Sequence, residues 1–436
     1  MKLRKILMVS VAVVMALSMV ACGDSSNSKS VGETVPSEKV TITFLNSKSG
    51  IEKFLEPAFE TYYGETGVKI ELTSLSETDS PYEAMQKLYA AGTPPTLALL
   101  DANDIVTLGP DYALPLDDEN WVAQGGSTYG VSVDDTLYGF PWTLEGRGIL
   151  FNRTAIEETL GRDFDETSIK CLDDLVAICN ELVAAGMEYP TVVNPPDWSL
   201  GAHYMGLVYE QQGTPEDVTE SADAFIASLK DGSANMADND RFNSLMDTFD
   251  VLKKYNLYGA DPLGTDYDTV NLSFIEGETA FYFNGNWIWD TSGEFAPENA
   301  EFGMLPVVQN NQSDVFNTLC NAVGSKQIMI NKSAGDVEIQ AAKDLLNWLV
   351  NDEVAQNMIA EQLMGVPAFT TYAASENNRL GGALKKYVDA GKTFPQYNGL
   401  PGDHYTSVGA SMQKYLAGQC TREELASEID AYWQAQ

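Results

Sequence analysis

Residues 137–153 read LYGFPWTLEGRGILFNR and combine an aromatic run, a carboxylate, two glycines and an apolar run. Pro141 cannot donate to a central hydrogen-bond ladder, so the aromatic run around it is predicted at the edge or the end of a sheet. Residues 149–151 are continuously apolar, which is typical of a buried strand. Glu145 and two flexible glycines separate these extended segments. A carboxylate beside aromatic residues, at a glycine-containing connection between two extended segments, fits a polar ligand cleft between two lobes. It equally fits an ordinary edge strand and turn.

The length and the charge of the chain narrow the class of protein. With 436 residues the chain exceeds one ordinary hydrophobic core, so two lobes are expected. The formal net charge of −37 argues against a nucleic-acid partner, because phosphates would be repelled. This charge fits a cationic ligand or, alternatively, a solvated acidic surface that keeps an exported protein soluble.

The first residues have the pattern of an export signal. Basic side chains within residues 1–5 precede the apolar residues 6–20, which are too few to span a bilayer comfortably. We therefore predict a signal peptide at residues 1–21. The Ser-rich residues 22–38 lack periodicity and are predicted to form a flexible tether.

The end of this signal resembles the lipobox of bacterial lipoproteins. Residues 19–23 read MVACG, with a small residue before Cys22 and with Met19 where leucine is usual. The resemblance implies that Cys22 carries lipid and anchors the protein to the extracellular face of the bacterial cell membrane. The alternative is a secretory signal without lipid.

The chemistry-bearing residues favour binding over catalysis. No HExxH, GxSxG, P-loop or DxDxDG motif occurs, so no catalytic residue, cofactor or metal is predicted. The cysteines beyond the signal lack a CxxC pair, which argues against a zinc site or a dense disulfide framework. They are expected to be buried free thiols: Cys171, Cys179, Cys320 and Cys420.

Alternating strands and helices predict an α/β fold. Residues 40–45 and 68–72 read as strands around a helix at 51–63, an order that makes a parallel βαβ unit. Residues 96–100 form another buried strand, and its C-terminal end is where open α/β sheets place ligand contacts. Residues 172–183 have the periodicity of an amphipathic helix.

Later segments continue this pattern. Residues 326–331 (KQIMIN) read as a strand, and residues 339–363 as one helix. Residues 421–424 (TREE) have the pattern of a capping box that opens a closing helix.

Taken together, the chain resembles the extracellular solute-binding proteins of ABC importers, in the family 1 cluster that includes maltodextrin-binding and other oligosaccharide-binding proteins. The similar segments run in family order from residue 39 to the C-terminus: FLEPAFETYYGETGVKIEL, YAAGTPPTLALLDANDI, LYGFPWTLEGRGILFNR, LDDLVAICNELVAAGM, FIEGETAFYFNGNWIW, KQIMINKSA with AAKDLLNWLVNDEVAQ, and LAGQCTREELASEI.

The resemblance implies a two-lobe periplasmic-binding-protein-like α/β fold with a multi-strand hinge and a ligand cleft between the lobes. The N-terminal lobe would comprise residues 39–144 plus 325–374, and the C-terminal lobe residues 148–320 plus 380–436. The chain would cross the hinge near residues 144–149, 321–326 and 374–380, and the lobes would close on ligand.

The resemblance also implies ligand-binding residues. Glu145 matches an acidic residue that hydrogen-bonds sugar hydroxyls, and Trp287, in the run NGNW, matches a tryptophan that stacks on a sugar ring. Tyr405 falls where another stacking aromatic residue lies. Two ligand loops would contribute Ser47, Lys48 and Ser49, and Asp101, Asn103 and Asp104. Aromatic and imidazole side chains that fit the same chemistry are Trp142, Trp198, His203, Tyr204 and His404.

Structural roles remain open for two of these residues. Trp287 fits a core residue that braces its lobe, as Trp289 is expected to be. Glu145 fits a structural ion pair with Arg147. Because Lys48 and Asp101 replace residue types usual in maltodextrin binders, the sugar itself is not specified.

The resemblance implies a monomeric, lipid-anchored protein that is not an enzyme and that delivers an oligosaccharide to an ABC permease. The alternative with the same fold is a binding protein for a polyamine or another small cation, held by carboxylates and aromatic walls. A secreted glycosidase, which needs two carboxylates facing each other across a cleft, and a surface adhesin are the alternatives from other classes.

Overall fold

A computed structural model describes residues 40–48, 50–76 and 80–436. The predicted signal peptide, Cys22, the tether and the candidate Ser49 lie outside these residues. Within the described chain, none of the helices is both long and apolar enough to cross a membrane.

The strands of the described chain are short, and most are buried. They are β1 (Thr41–Asn46), β2 (Lys69–Ser74), β3 (Leu97–Asp101), β4 (Ser132–Val133), β5 (Thr136–Leu137), β6 (Phe140–Pro141), β7 (Glu145–Asn152), β8 (Thr191–Val192), β9 (Phe281–Gly285), β10 (Phe302–Leu305), β11 (Cys320–Val323), β12 (Lys326–Ile330) and β13 (Thr393–Phe394).

The helices alternate with these strands. They are α1 (Glu52–Thr66), α2 (Pro81–Ala91), α3 (Ala102–Tyr112), α4 (Gly126–Tyr129), α5 (Arg153–Leu160), α6 (Leu172–Ala185), α7 (Met205–Glu210), α8 (Val218–Lys230), α9 (Asp240–Lys254), α10 (Tyr267–Ile275), α11 (Ile288–Ser292), α12 (Asp336–Asn351), α13 (Glu353–Asn357), α14 (Arg379–Asp389), α15 (His404–Leu416) and α16 (Arg422–Gln434). A π-helical turn, Trp198–Tyr204, leads into α7.

The first sheet has five strands in the order β2-β1-β3-β12-β6. β1 pairs in parallel with β2 and β3, which confirms the predicted βαβ unit, and β12 pairs antiparallel with β3 and β6. Pro141 lies in β6, the strand at the edge of this sheet, where its missing amide hydrogen costs no ladder bond. The predicted edge position is therefore confirmed.

The second sheet has six strands and is centred on β7. β9 pairs antiparallel with one side of β7, while β10 and β11 share the other side. β8 extends the sheet beyond β9, and β13 extends it beyond β11. Residues 142–144 connect β6 to β7 and residues 324–325 connect β11 to β12, so the chain passes between the sheets at both places.

The continuous apolar run of β7 has a packing reason. Ile149 and Phe151 point into one hydrophobic cluster, with Phe249 and Trp433, whereas Leu150 belongs to the other cluster. Successive side chains of a strand point to opposite faces, so both faces of β7 are buried. Burying side chains of this size contributes about 1.5–3 kcal/mol each.

Three further expectations can be compared with the fold. The predicted capping box of Thr421 and Glu424 is present at the start of α16. The cysteines that the structure describes are free thiols, and all are buried except Cys420, which is half-buried. The single helix predicted at 339–363 is wrong. α12 ends at Asn351, and Asp352, whose side chain accepts a 2.8 Å hydrogen bond from the amide of Val354, caps the separate helix α13.

Candidate ligand-binding cavity

A cavity of about 630 Å³ lies where the two sheets meet. The first loop and α1 contribute one wall, the segment between β6 and β7 contributes another, and α10, α11 and the π-helical turn contribute the third. The side chains that bear its chemistry are Lys48, Lys53, Phe54, Trp142, Glu145, His203, Tyr267, Asn286, Trp287 and Asp290.

Trp287 forms part of the aromatic wall, and the glycine before it makes this position possible. A Cβ atom on Gly285 would lie 2.0 Å from Cζ3 of the Trp287 indole, so the ring crosses directly over the backbone of β9. The run NGNW therefore places a half-buried indole against the cavity.

Other rings continue this wall. The centroid of His203 lies 4.9 Å from that of Trp287 and 5.1 Å from that of Trp198, and Tyr267 lies 5.4 Å from Trp198. All three contacts are edge-to-face, an arrangement that aromatic rings favour. Burial, followed by the charge of Arg147, lowers the pKa of His203 to about 3, so this imidazole is neutral.

A charged triad faces the rings. The Lys48 Nζ atom lies 3.4 Å from Glu145 Oε1 and 3.9 Å from Asp290 Oδ2. The second Glu145 oxygen accepts a 2.5 Å hydrogen bond from the hydroxyl of Ser325. One ammonium group thus lies within ion-pair distance of two carboxylates that come from different parts of the fold.

The pKa values of the triad follow from this arrangement. Burial alone would lower the pKa of Lys48, but the charges of Glu145 and Asp290 outweigh it and raise the pKa, so Lys48 stays cationic. Burial raises the pKa of Asp290 to about 7; Lys48 opposes this rise and Glu145 adds to it. Asp290 therefore exchanges its proton near neutral pH.

Asn286 fixes the floor of the cavity. Its Oδ1 atom accepts a 2.7 Å hydrogen bond from the backbone amide of Gly146, and the backbone amide of Asn286 donates to the Gly146 carbonyl at 3.1 Å. Its Nδ2 atom donates to the carbonyl of Leu144 at 3.4 Å. The strand of the Trp287 run is thereby tied to the segment that carries Glu145.

A second pair of opposite charges lies at the ends of β3 and β12. Lys326 Nζ lies 2.7 Å from Asp101 Oδ1 and donates to the hydroxyl of Ser47 at 3.2 Å. Burial, followed by the charge of Asp101, raises the pKa of Asp104 to about 7. Asn103 is exposed in the first turn of α3.

The family follows from the sequence match. Residues 57–389 match the model described as bacterial extracellular solute-binding protein. The chain belongs to this family. No curated protein sequence matches it significantly.

Solved structures show the two-lobe α/β fold of such solute-binding proteins. The apo form of RafE from Streptococcus pneumoniae is 17% identical, with a TM-score of 0.69 over 92% of this chain and 98% of that chain. The binding protein MsmE from Bacillus subtilis, in an open conformation, is 17% identical, with a TM-score of 0.71 over 91% and 97%. A sugar transporter from Bacillus licheniformis in complex with stachyose is 17% identical, with a TM-score of 0.65 over 91% and 100%.

Two sequence candidates of this solute-binding protein lie in its core instead of its cavity. Tyr204 is fully buried and donates a 2.6 Å hydrogen bond to the Leu245 carbonyl. His404 is buried, with its Nε2 atom 3.0 Å from the hydroxyl of Tyr209. Both side chains are held by contacts within the core, so their assignment to the ligand site is wrong.

Other candidates lie at intermediate positions. Trp142 lines the cavity but is only 1% exposed, so most of its ring packs in the core. Trp198 contacts the rings of the wall without lining the cavity itself. Tyr405 is 42% exposed in the first turn of α15 and is not among the side chains that line the cavity. Trp289 is buried, as expected for a core residue.

The alternative pairing of Glu145 with Arg147 is wrong. Arg147 Nη2 instead lies 2.5 Å from Glu210 Oε1, and its Nη1 atom donates to Gln396 at 2.8 Å. Glu145 pairs with Lys48, whose Nζ atom lies 3.4 Å from Glu145 Oε1. This leaves Glu145 for the cavity.

Besides Asn286, which stands in the recognised run NGNW, sequence reasoning missed four residues that line the cavity: Lys53, Phe54, Tyr267 and Asp290. A signal existed for Asp290, which follows Trp287 by three positions in a helical turn and therefore shares its side. The remaining three carried no local pattern that marks a ligand contact.

A larger cavity, of about 740 Å³, lies between β10 and α14. One of its lining side chains, Arg379, donates hydrogen bonds to the carbonyls of Pro297, Glu298 and Ala300. Among the residues that the structure describes, no group of histidine, cysteine or acidic side chains is arranged to hold a metal ion.

Proposed function

We propose that this solute-binding protein captures an oligosaccharide outside the cytoplasm and delivers it to the permease of an ABC importer. The observation that carries the proposal is one cavity lined both by aromatic rings and by a polar triad in which Lys48 pairs with two carboxylates. Binding would close the lobes by favouring the closed state, with no covalent chemistry.

The cavity offers a sugar the two kinds of contact that it needs. The C–H face of a pyranose ring packs on a flat aromatic ring such as the Trp287 indole. Its hydroxyls find acceptors on Glu145 and Asp290 and donors on Lys48.

The related structures support the same ligand class. RafE has been solved with raffinose, and the Bacillus licheniformis protein with stachyose. A protein of the same fold is described as a chitin oligosaccharide binding protein. Each identity is 20% or lower, so these ligands guide the choice of compounds to test and do not identify the sugar.

The structure weighs against the polyamine alternative. The acidic residues that favoured a cation are Glu145, Asp101 and Asp104. Glu145 is compensated by Lys48, Asp101 is compensated by Lys326, and Asp104 has a raised pKa. A polycation would gain little where the carboxylates already have ammonium partners.

The same triad weighs against a glycosidase. Hydrolysis needs two carboxylates separated by the scissile bond. Here both carboxylates, Glu145 and Asp290, lie within ion-pair distance of the same ammonium group, that of Lys48. This arrangement supports binding without turnover.

The proposal extends to the organisation of the chain. Residues 1–21 would be a lipoprotein signal peptide, Cys22 the lipidated residue, and residues 22–38 the tether of a monomer on the extracellular face of the cell membrane. The lobes would comprise residues 39–144 plus 325–374 and 148–320 plus 380–436. Membership of the two sheets supports this division.

Thermal unfolding of the full-length chain in detergent tests the proposed ligand. The compounds are raffinose, stachyose, and chito-, malto- and xylo-oligosaccharides, with putrescine and spermidine as cationic competitors. A ligand at a hundred times its Kd stabilises by about 2.7 kcal/mol, which raises Tm by a few degrees.

The expected result is a rise with one oligosaccharide series that is lost in Trp287→Ala and kept in Phe295→Ala. Phe295 is an exposed aromatic residue that does not line this cavity, so it controls for the loss of a ring. A rise with polyamines alone would contradict the sugar proposal and leave the family assignment intact.

A further inference from the structure

The cavity contains a cation of the protein at the place where a cationic ligand would bind. We propose that Lys48 determines the ligand specificity of the site: its ammonium group occupies the ion-pair position against Glu145 and Asp290, so that the cavity rejects polyamines and other small cations and accepts neutral polyhydroxyl ligands. The inference concerns the site of the proposed function. Acceptance of a neutral ligand rests on the proposed function, whereas rejection of cations does not.

The geometry makes Lys48 the centre of the triad. Its Nζ atom lies within 3.4 Å of Glu145 Oε1 and 3.9 Å of Asp290 Oδ2. The three side chains come from the loop after β1, from the start of β7 and from α11, so they meet only because the fold brings them together. Each is 20–30% exposed, so the group is shielded but open to the cavity.

Without Lys48 the same cavity would have the features of a cation site. Two carboxylates would remain, and the rings of Phe54, Tyr267 and Trp287 line the same space. An ammonium group gains both from a carboxylate within about 4–6 Å and from the face of an aromatic ring. Neutralisation by Lys48 therefore separates a sugar site from a polyamine site.

The pKa values support this role. Lys48 keeps its proton, because the two carboxylates raise its pKa. Asp290, with a pKa near 7, is ionised in weakly alkaline solution, so the charge that Lys48 compensates is present there. Removal of Lys48 would leave Glu145 and Asp290 without their ammonium partner, and a bound cation could take its place.

The cavity provides its own control. Lys53 also lines it, but its ammonium group lies 4.8 Å over the ring of Phe54. Lys53→Met and Lys48→Met remove the same charge and leave the same side chain. A difference between them therefore reports the position of the charge and not the net charge of the protein.

The test measures Tm of the full-length chain in detergent with spermidine and putrescine, in buffer at about pH 8, where amines are protonated and exposed carboxylates are ionised. The proteins are the natural chain, Lys48→Met, Lys53→Met and the double variant Lys48→Met with Asp290→Asn. We expect spermidine to raise Tm by a few degrees in Lys48→Met alone. In about 1 M salt, where the Debye length is about 3 Å, this rise should shrink.

Two results would overturn the inference. One is a folded Lys48→Met variant that spermidine does not stabilise, and the other is an equal stabilisation of the natural chain. If Lys48→Met unfolds below the assay range, Lys48→Gln gives the same reading, since it removes the charge and keeps a donor for Glu145. A failure of every sugar to bind the natural chain would count against the proposed function alone, because gain of cation binding needs no sugar.

Discussion

Asn286 and the backbone of Gly146 are joined by two reciprocal hydrogen bonds: the backbone amide of Gly146 donates to Asn286 Oδ1 at 2.7 Å, and the backbone amide of Asn286 donates to the Gly146 carbonyl at 3.1 Å. Both residues are buried, so water cannot replace these bonds. The contact joins the end of β9 to the strand that passes between the sheets. The position of Trp287 relative to Glu145 depends on it.

We expect Asn286→Ala to destabilise the protein, because the buried amide of Gly146 loses its acceptor. An unsatisfied buried donor costs about 1–3 kcal/mol. Chemical denaturation measures the free energy of unfolding, and Asn310→Ala, at an exposed asparagine, is the control. Equal stability of the two variants would show that the bond contributes nothing.

Gly285→Ala tests the position of the indole without removing it. A Cβ atom there would lie 2.0 Å from the Trp287 ring, so the ring must move and sugar affinity should fall by about tenfold, close to 1.4 kcal/mol. Gly382→Ala, in α14 with open space around its Cβ position, should leave affinity unchanged. Calorimetric titration with the oligosaccharide found by thermal unfolding measures both. Unchanged affinity in Gly285→Ala would argue against stacking on Trp287.

Replacing only one partner of the buried ion pair of Arg147 and Glu210 should lower the free energy of unfolding. The two side chains are 3% and 1% exposed, and removal of one partner leaves a buried charge, a loss of about 3–5 kcal/mol. We expect Arg147→Met to lose stability on this scale and the double variant with Glu210→Leu to regain most of it.

A surface pair provides the matched comparison. Arg162 and Glu181 are about half exposed, and Arg162→Met should cost less than about 1 kcal/mol. A denaturation series of all variants gives the free energies of unfolding. A loss in Arg147→Met no larger than in Arg162→Met would refute the assignment of a strong buried pair.

His404 predicts a loss of stability in acid. Burial lowers its pKa to about 4 in the folded protein, against about 6.5 when unfolded. Between these values the unfolded state binds more protons, so stability is present above about pH 6.5 and falls as pH drops towards 4. The full difference amounts to about 3 kcal/mol at 1.36 kcal/mol per pKa unit.

The measurement is the free energy of unfolding at pH 7 and pH 4.5, approximately the two ends of this window. A His404→Gln variant should show a smaller loss between the two values than the natural chain. His203, whose pKa is lowered to about 3, contributes in the same direction and stays in both proteins. Equal losses would mean that His404 is not buried as a neutral ring.

Much of the fold was predictable because local patterns carry it. The apolar run of β7, the edge proline of β6 and the capping box of α16 each follow from the properties of a few adjacent residues. Glu145 and Trp287 were expected from the resemblance, and the structure places both at the cavity.

The triad was less accessible to sequence reasoning. Lys48 and Asp290 lie far apart in the chain, and nothing in the neighbourhood of either marks the other. The two misplaced rings show another limit. Tyr204 follows His203 directly, but a helical turn directs adjacent side chains apart, and only tertiary packing decides that His203 faces the cavity and Tyr204 the core.

The segment between β6 and β7 has a mechanical consequence. Residues 142–144 connect the two sheets, so a rotation of one proposed lobe against the other would take place about this part of the chain. Points near an axis move least, and Glu145, the first residue of β7, would be such a point, whereas Lys48 follows β1 and Asp290 lies in α11. Glu145 would thus hold a ligand in the same place from first encounter to full closure, while the parts of the fold that carry Lys48 and Asp290 move.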